Sequence, residues 1–463
     1  MEAAADLAGA AEHEKDDGAT AGRLTYEIFS LLEAKFLFGR RDAARFPGVG
    51  AAPRGKVCVL SIDGGTRASD GLLAAAALVR LEAALRRRSG SPAARLPDFF
   101  DAAAGSGAGG VLAAMLFARG PRGRPLYAAE DALAFLLRRV RRRRGSWSAG
   151  GGVGLVLRRG GAAAFGRAFG ELTLRDTVRP VLVPCYDLAT RAPFLFSRAD
   201  AAESPAHDFR LRDVCAATCA GGGGAAVDVV SVDGSTRIRA VGGGVALGNP
   251  TAAAITHVLN NRREFPAAAS IDDLLVLSIG TGEPNAGGRG GARAPEVARI
   301  AAEGVSDMVD QAVAMAFGHS RTSNYIRIQG TGGRRGGRAP RACGGETREQ
   351  AVWKAEAMLL QKGVESVLFQ GRKLAGETNA EKLERFAREL AREHARRKQQ
   401  QQLGAGAASP AAGLPAVVPS CTPTKQTPAT TAGSTEAAGP TTEAPPPPRR
   451  RRTMAATATK RAA

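Results

Sequence analysis

Aromatic residues make up only 5% of the 463-residue chain, with two tryptophans and four tyrosines. A core built from such a sequence must rely on small side chains and close backbone approach, which the 58 glycines and the many alanines favour. Cysteine is scarce as well. Cys58, Cys185, Cys215, Cys219, Cys343 and Cys421 are spread along the chain, which argues against a disulfide-stapled secreted scaffold and fits reduced, intracellular thiols. Cys215 and Cys219 are spaced like half a metal site, but no His or Cys cluster lies near them, so two small residues on one helix face is the better reading. No metal and no other cofactor is expected. Long apolar runs are missing too: no stretch of about 18 uncharged apolar residues occurs, so membrane contact is expected to be peripheral. Met1 to Asp17 is Ala-rich and acidic, without the basic flank and apolar stretch of an export signal, so no export is expected.

What the chain has in excess is positive charge, 64 Lys and Arg against 44 Asp and Glu, a net +20. With 44% hydrophobic residues it is not wholly disordered. Composition divides it into a small polar segment, residues 1–22, one large domain, residues 23–398, and a low-complexity tail, residues 399–463. The tail is rich in Pro, Ala and Thr, ends in Arg449 to Arg452, and is expected to be disordered like the N-terminal segment.

Inside the domain, Lys56 to Ile62 reads as a buried strand that ends in Asp63-Gly64-Gly65, and Leu72 to Arg87 reads as the helix that follows. The same syntax returns at Phe99 to Ala104, then Gly105 to Gly110, then Val111 to Phe117. Further strands are expected at Val181 to Tyr186, Phe194 to Ser197 and Leu274 to Ile279. A hairpin is expected about Asp233-Gly234. Thr378 to Glu381 has capping-box form and opens a helix with Leu383, Phe386, Ala387 and Leu390 on its apolar face. A loop is expected around Thr331 to Glu346. The architecture predicted is α/β in three layers with a mostly parallel sheet.

A glycine turn between a strand and a helix presents free N–H groups and the positive end of a helix, so it suits an anion or a developing oxyanion; it also serves for tight packing. Neither turn here ends as a P-loop, and Gly105, Gly107 and Gly110 lack the ribose-binding acid of a dinucleotide fingerprint. Gly105 to Gly109 has the Gly-x-Ser-x-Gly form of a nucleophile elbow with Gly107 at the serine position.

LSIDGG (Leu60 to Gly65), FFDAAAGSGAGGVLAAMLF (Phe99 to Phe117), VLVPCYDLATRAPFLFSRADA (Val181 to Ala201), GGGVALGNPTAAAITHVL (Gly242 to Leu259) and LSIGTG (Leu277 to Gly282) resemble, in order and spacing, the patatin-like lipid acyl hydrolases of plants. The third stretch is similar to the plant group that carries Gly at the nucleophile position. The resemblance implies an α/β sandwich that cleaves phospholipid and galactolipid acyl esters with a Ser–Asp dyad and a glycine-rich oxyanion loop, without metal. Carried over, the oxyanion loop is Gly64, Gly65 and Thr66, the nucleophile position is Gly107, and the dyad aspartate position is Gly242. Both catalytic side chains are therefore absent, and activity is expected to be weak or unconventional. The alternative is a non-catalytic lipid-binding or regulatory protein at membrane surfaces.

Nearby residues offer no obvious substitute. Ser106 is expected to pack or cap, Asp63 to accept N–H bonds within its own turn, and each of the five histidines to be structural or solvated. The cluster Arg138, Arg139, Arg141, Arg142, Arg143 and Arg144 ends an apolar helix over Asp131 to Leu137 and is read as a contact for an anionic lipid surface, with no specific nucleic acid expected. The expected partners are membrane lipids, phospholipid or galactolipid. The expected location is cytoplasmic or peripheral on membranes, with Arg449 to Arg452 a weak nuclear-targeting patch.

Overall fold

Parallel strands buried on both faces read as near-continuous apolar runs, and three such runs lie side by side at the centre of this protein. The computed structural model describes residues 55–140, 161–221, 226–281, 296–330, 348–367 and 371–407. Strands β1 (Val57–Ile62), β2 (Ala102–Gly105), β3 (Val181–Asp187), β4 (Ala192–Ser197), β5 (Val227–Val230), β6 (Arg237–Gly242), β7 (Leu274–Ile279) and β8 (Tyr325–Ile328) form one sheet in the order β5-β6-β3-β2-β1-β7-β8, with β4 paired to β3. The steps from β3 through β2, β1 and β7 to β8 are all parallel. The β5–β6 hairpin closes about Asp233-Gly234 as expected and joins β3 antiparallel.

Alternation along β1 sorts the two layers. Cys58, Leu60 and Ile62 face the thicker layer, formed by α1 (Leu72–Ser89), α2 (Ala108–Phe117), α3 (Ala129–Val140), α4 (Gly161–Phe169), α5 (Leu211–Thr218), α8 (Arg348–Leu360) and α9 (Asn379–Ala407). Val57 and Val59 face the thinner layer, where α6 (Thr251–Asn260) and α7 (Glu296–Phe317) pack. Helix α2 is buried on every side, as its sequence AGGVLAAMLF allows. A separate hairpin, β9 (Lys362–Val367) with β10 (Gly371–Thr378), precedes α9.

The capping box at the start of α9 is present: Thr378 N–H donates to Glu381 Oε2 at 2.8 Å, and the Glu381 N–H donates to Thr378 Oγ1 at 3.2 Å. Leu383, Phe386, Ala387 and Leu390 are buried, each large side chain stabilising the docking by about 1.5–3 kcal/mol. Arg397 anchors the far end on Asp101 at 3.0 Å and 2.7 Å. The helix continues to Ala407, past the boundary expected at Lys398, because Gln399 to Gln402 are good helix formers that require no burial. Residues 331–347, which hold the expected loop, residues 1–54 and residues 408–463 lie outside the described residues.

Candidate functional site

At the end of β2 the chain turns through Ser106 and Gly107 into α2. Gly107 has φ 54° and ψ −124°, a conformation that costs an L side chain strain and that a nucleophile elbow adopts. The first N–H groups of a helix have no partner within it and could bind an anion. Here those of Ala108 and Gly109 are taken, with that of Gly107 just before them. Gly107 N–H donates to Thr218 Oγ1 at 2.8 Å, Ala108 N–H to the Gly65 carbonyl at 2.9 Å, and Gly109 N–H to the Ser106 carbonyl at 2.9 Å.

The Asp63-Gly64-Gly65 turn lies directly on this elbow. A Cβ built on Gly107 would stand 2.3 Å from the Gly65 oxygen and 2.9 Å from the Gly64 oxygen, so backbone fills the space where a nucleophile's side chain would begin. The segment from Gly242, the last residue of β6, to Gly244 closes the third side: a Cβ on Gly244 would lie 2.9 Å from the Gly64 oxygen and 3.9 Å from Ser106 Oγ. Gly242 itself points elsewhere, its Cβ position 2.4 Å from the Ala220 oxygen. Three glycine turns from β1, β2 and β6 thus converge.

The family model described as patatin-like phospholipase matches the sequence over residues 60–255, a span that contains all three turns. The chain is 73% identical over 398 residues to Patatin-like protein 3 of Oryza sativa subsp. indica, covering 84% of this chain and 94% of that protein. The chain belongs to the patatin-like phospholipase family. It is also 47% identical to Patatin-like protein 7 of Arabidopsis thaliana, over 81% of this chain and 82% of that one. Probable inactive patatin-like protein 9 of Arabidopsis thaliana is 40% identical over 80% of this chain and 92% of its own length.

Within this patatin-like frame several sequence expectations change. Gly64 and Gly65 do meet the elbow, the Gly65 carbonyl accepting from the Ala108 N–H; the absence of a side chain lets the backbone come this close. Thr66 turns towards Gly221, its Oγ1 3.3 Å from where a Cβ on that residue would be. Ser106 is fully buried and packs; its hydroxyl makes no hydrogen bond among the described residues and caps no helix. The thiols of Cys185, opposite Gly242 in the sheet, and of Cys219 are pushed up to about 12 by burial, which makes them poor nucleophiles. No cluster of three metal-ligating side chains occurs among the described residues.

Arg139 does not join a lipid-facing cluster. It is buried, its guanidinium 4.3 Å from the ring centre of Phe135 and 4.6 Å from that of Phe165, because the last turn of α3 packs against α4. Arg138 is exposed, and Arg141 to Arg144 lie outside the described residues.

Asp63 also departs from its expected place. It is buried and paired with Arg327 of β8 at 2.5 Å, not with the N–H groups of its own turn, because alternation along β1 sends its side chain to the α6/α7 face. Burial raises the Asp63 carboxyl, against the opposing pull of Arg327. Arg327 also donates to Ser278 Oγ at 2.7 Å. Thr251 Oγ1, at the start of α6, lies 2.8 Å from the hydroxyls of both Ser61 and Ser278. Ser306 and Asp310, on α7, complete the surroundings of Asp63, and Tyr325 donates to Asp310 at 2.5 Å. The sequence signal for this network was the repeat Leu-Ser-Ile at the ends of β1 and β7, which puts Ser61 opposite Ser278.

Proposed function

We propose that this protein handles acyl lipids as a lipid acyl hydrolase whose turnover of phospholipid or galactolipid esters is weak and proceeds by direct attack of water, with no acyl-enzyme. The observation that carries this reading is the elbow at Gly107, which keeps the family's turn while holding neither a nucleophile nor space for one. Without the dyad, only binding and positioning act on the reaction, which leaves a small part of the usual rate enhancement. A second reading, a non-catalytic lipid-binding or regulatory protein, is favoured by the N–H groups of Gly107, Ala108 and Gly109 at the elbow, which already have partners and so do little for an oxyanion.

Fatty-acid release from phospholipid and galactolipid vesicles by the pure protein separates the two. Slow release without labelling by a fluorophosphonate supports the first reading. Vesicle binding with release at the level of buffer supports the second. An adduct at Ser106 would overturn both, because it would reveal a serine nucleophile at the elbow.

We further propose that Arg141 to Arg144 attract an anionic membrane surface, each charge adding about 1 kcal/mol near it. Changing the four residues to Gln should reduce co-sedimentation with anionic vesicles at low salt and make little difference at high salt, where screening already weakens the contact. Equal binding by both forms at low salt would remove the cluster from the membrane reading.

A further inference from the structure

Helix α7 is amphipathic the wrong way round for a surface helix. From Ala301 to Phe317 its charged residues are Glu303, Asp307 and Asp310, and all three lie on the stripe that also carries Ser306, Val313 and Phe317 inward. Two of these acids are half-buried and Asp310 is buried. The opposite stripe, at the helical spacing Ala301, Gly304, Val305, Met308, Ala312 and Met315, is exposed and contains no charge. Val305 is 50% exposed, Met308 70% and Met315 67%, values that leave most of each apolar side chain in water. A surface helix in water normally shows the reverse arrangement.

The inward stripe holds the polar network of the site. The Ser306 carbonyl accepts from Asn249 at 3.3 Å, Asp310 accepts from Tyr325, and Phe317 stacks on Tyr325 with ring centres 5.6 Å apart. The helix is thus fixed beneath its apolar face and roofs one side of the residues around Asp63.

We propose that the outward face of α7 docks into the surface of an uncharged or zwitterionic lipid bilayer, placing the site beside the acyl lipids. This inference rests on the lipid-handling reading above. Three arguments select this occupant. The stripe spans roughly 20 Å by 10 Å, on the order of 200 Å², for a helix of this length and width. A stable dimer needs about 800 Å² from each partner, so a second copy is poorly served, whereas an interfacial helix needs only an apolar face that sinks to the level of the acyl chains. Charge gives the third argument: no cation stands on the stripe to meet an anionic headgroup, and the charges behind it are carboxylates. Docking by α7 is therefore insensitive to salt, unlike any contact through the arginine cluster.

The test uses the full-length protein with Met308→Trp and, separately, Met315→Trp, mixed with vesicles of phosphatidylcholine and galactolipid whose acyl chains are brominated. Both variants should be quenched beyond the level of the wild type, with its native Trp147 and Trp353, and the quenching should survive high salt. Met308→Asp with Met315→Asp should lower co-sedimentation with these vesicles at high salt about tenfold or more, since burying each methionine is worth at least a decade in affinity. If the protein co-sediments while neither tryptophan is quenched, the docking face is overturned and the lipid-handling reading stands. If no form of the protein co-sediments with any vesicle, both fall. Tryptophan shifts that follow protein concentration in the absence of lipid would assign the face to a second copy, and they too overturn the proposal.

Discussion

Gly107→Ser combined with Gly242→Asp is expected to leave ester hydrolysis at the wild-type level and to destabilise the fold. The substitutions supply both missing catalytic groups, so from sequence alone they would restore the dyad. Position 107 is closed by the Gly65 oxygen 2.3 Å from the new Cβ, and position 242 by the Ala220 oxygen at 2.4 Å. Backbone cannot give way as the end of a long side chain can. Overpacking of this kind costs about 1–3 kcal/mol at each position, and position 107 adds the strain of a side chain at positive φ. A lowered thermal midpoint, with fatty-acid release unchanged, is the expected pair of results. Release well above wild type at an unchanged midpoint would mean that the Gly64-Gly65 turn readily moves off the elbow. In that case the protein would be a few substitutions from full activity. A gain requires both changes together, because members of a dyad act as a unit.

Arg327→Met should be the most damaging single change in the thinner layer. It strands the Asp63 carboxyl in a buried site without its counter-charge, and breaking one partner of a buried pair costs about 3–5 kcal/mol. It also removes a donor from Ser278. Asp63→Asn added to Arg327→Met should recover a large part of that loss, because the uncompensated charge is then gone. Urea unfolding of the two single variants and the double variant measures the coupling. A double variant as unstable as the sum of the singles would show that the two side chains are not energetically linked.

Much of the frame was legible because it rests on local rules. The runs ending in Asp63-Gly64-Gly65 and Gly105 to Gly110 alternate too little for exposed strands and stop at glycines, so β1, β2 and the helices after them follow from pattern and turn chemistry. Thr378 and Glu381 announced α9 in the same way. Less legible were the elements whose role depends on partners far along the chain. Tyr325–Ile328 is four residues long, carries a charge, and is a strand only because β7 lies beside it. The direction in which Gly65 turns its carbonyl is a matter of one peptide plane, on which residue type is silent. Arg139 shows the same limit: a run of arginines suggests a solvated face, but one member stacks on Phe135 and Phe165 once α4 arrives.

The clasp between α9 and the start of the sheet has a kinetic side. Arg397 and Asp101 are 296 residues apart, and Phe386 packs near Phe100 at a ring distance of 6.4 Å. During synthesis the strands β1 and β2 leave the ribosome long before the helix that covers part of their face. At about 5–20 residues per second the wait is roughly 15–60 s, during which Phe100 and the side of α1 that α9 covers lack that cover. The yield on synthesis should therefore fall with temperature and crowding before the finished fold is threatened.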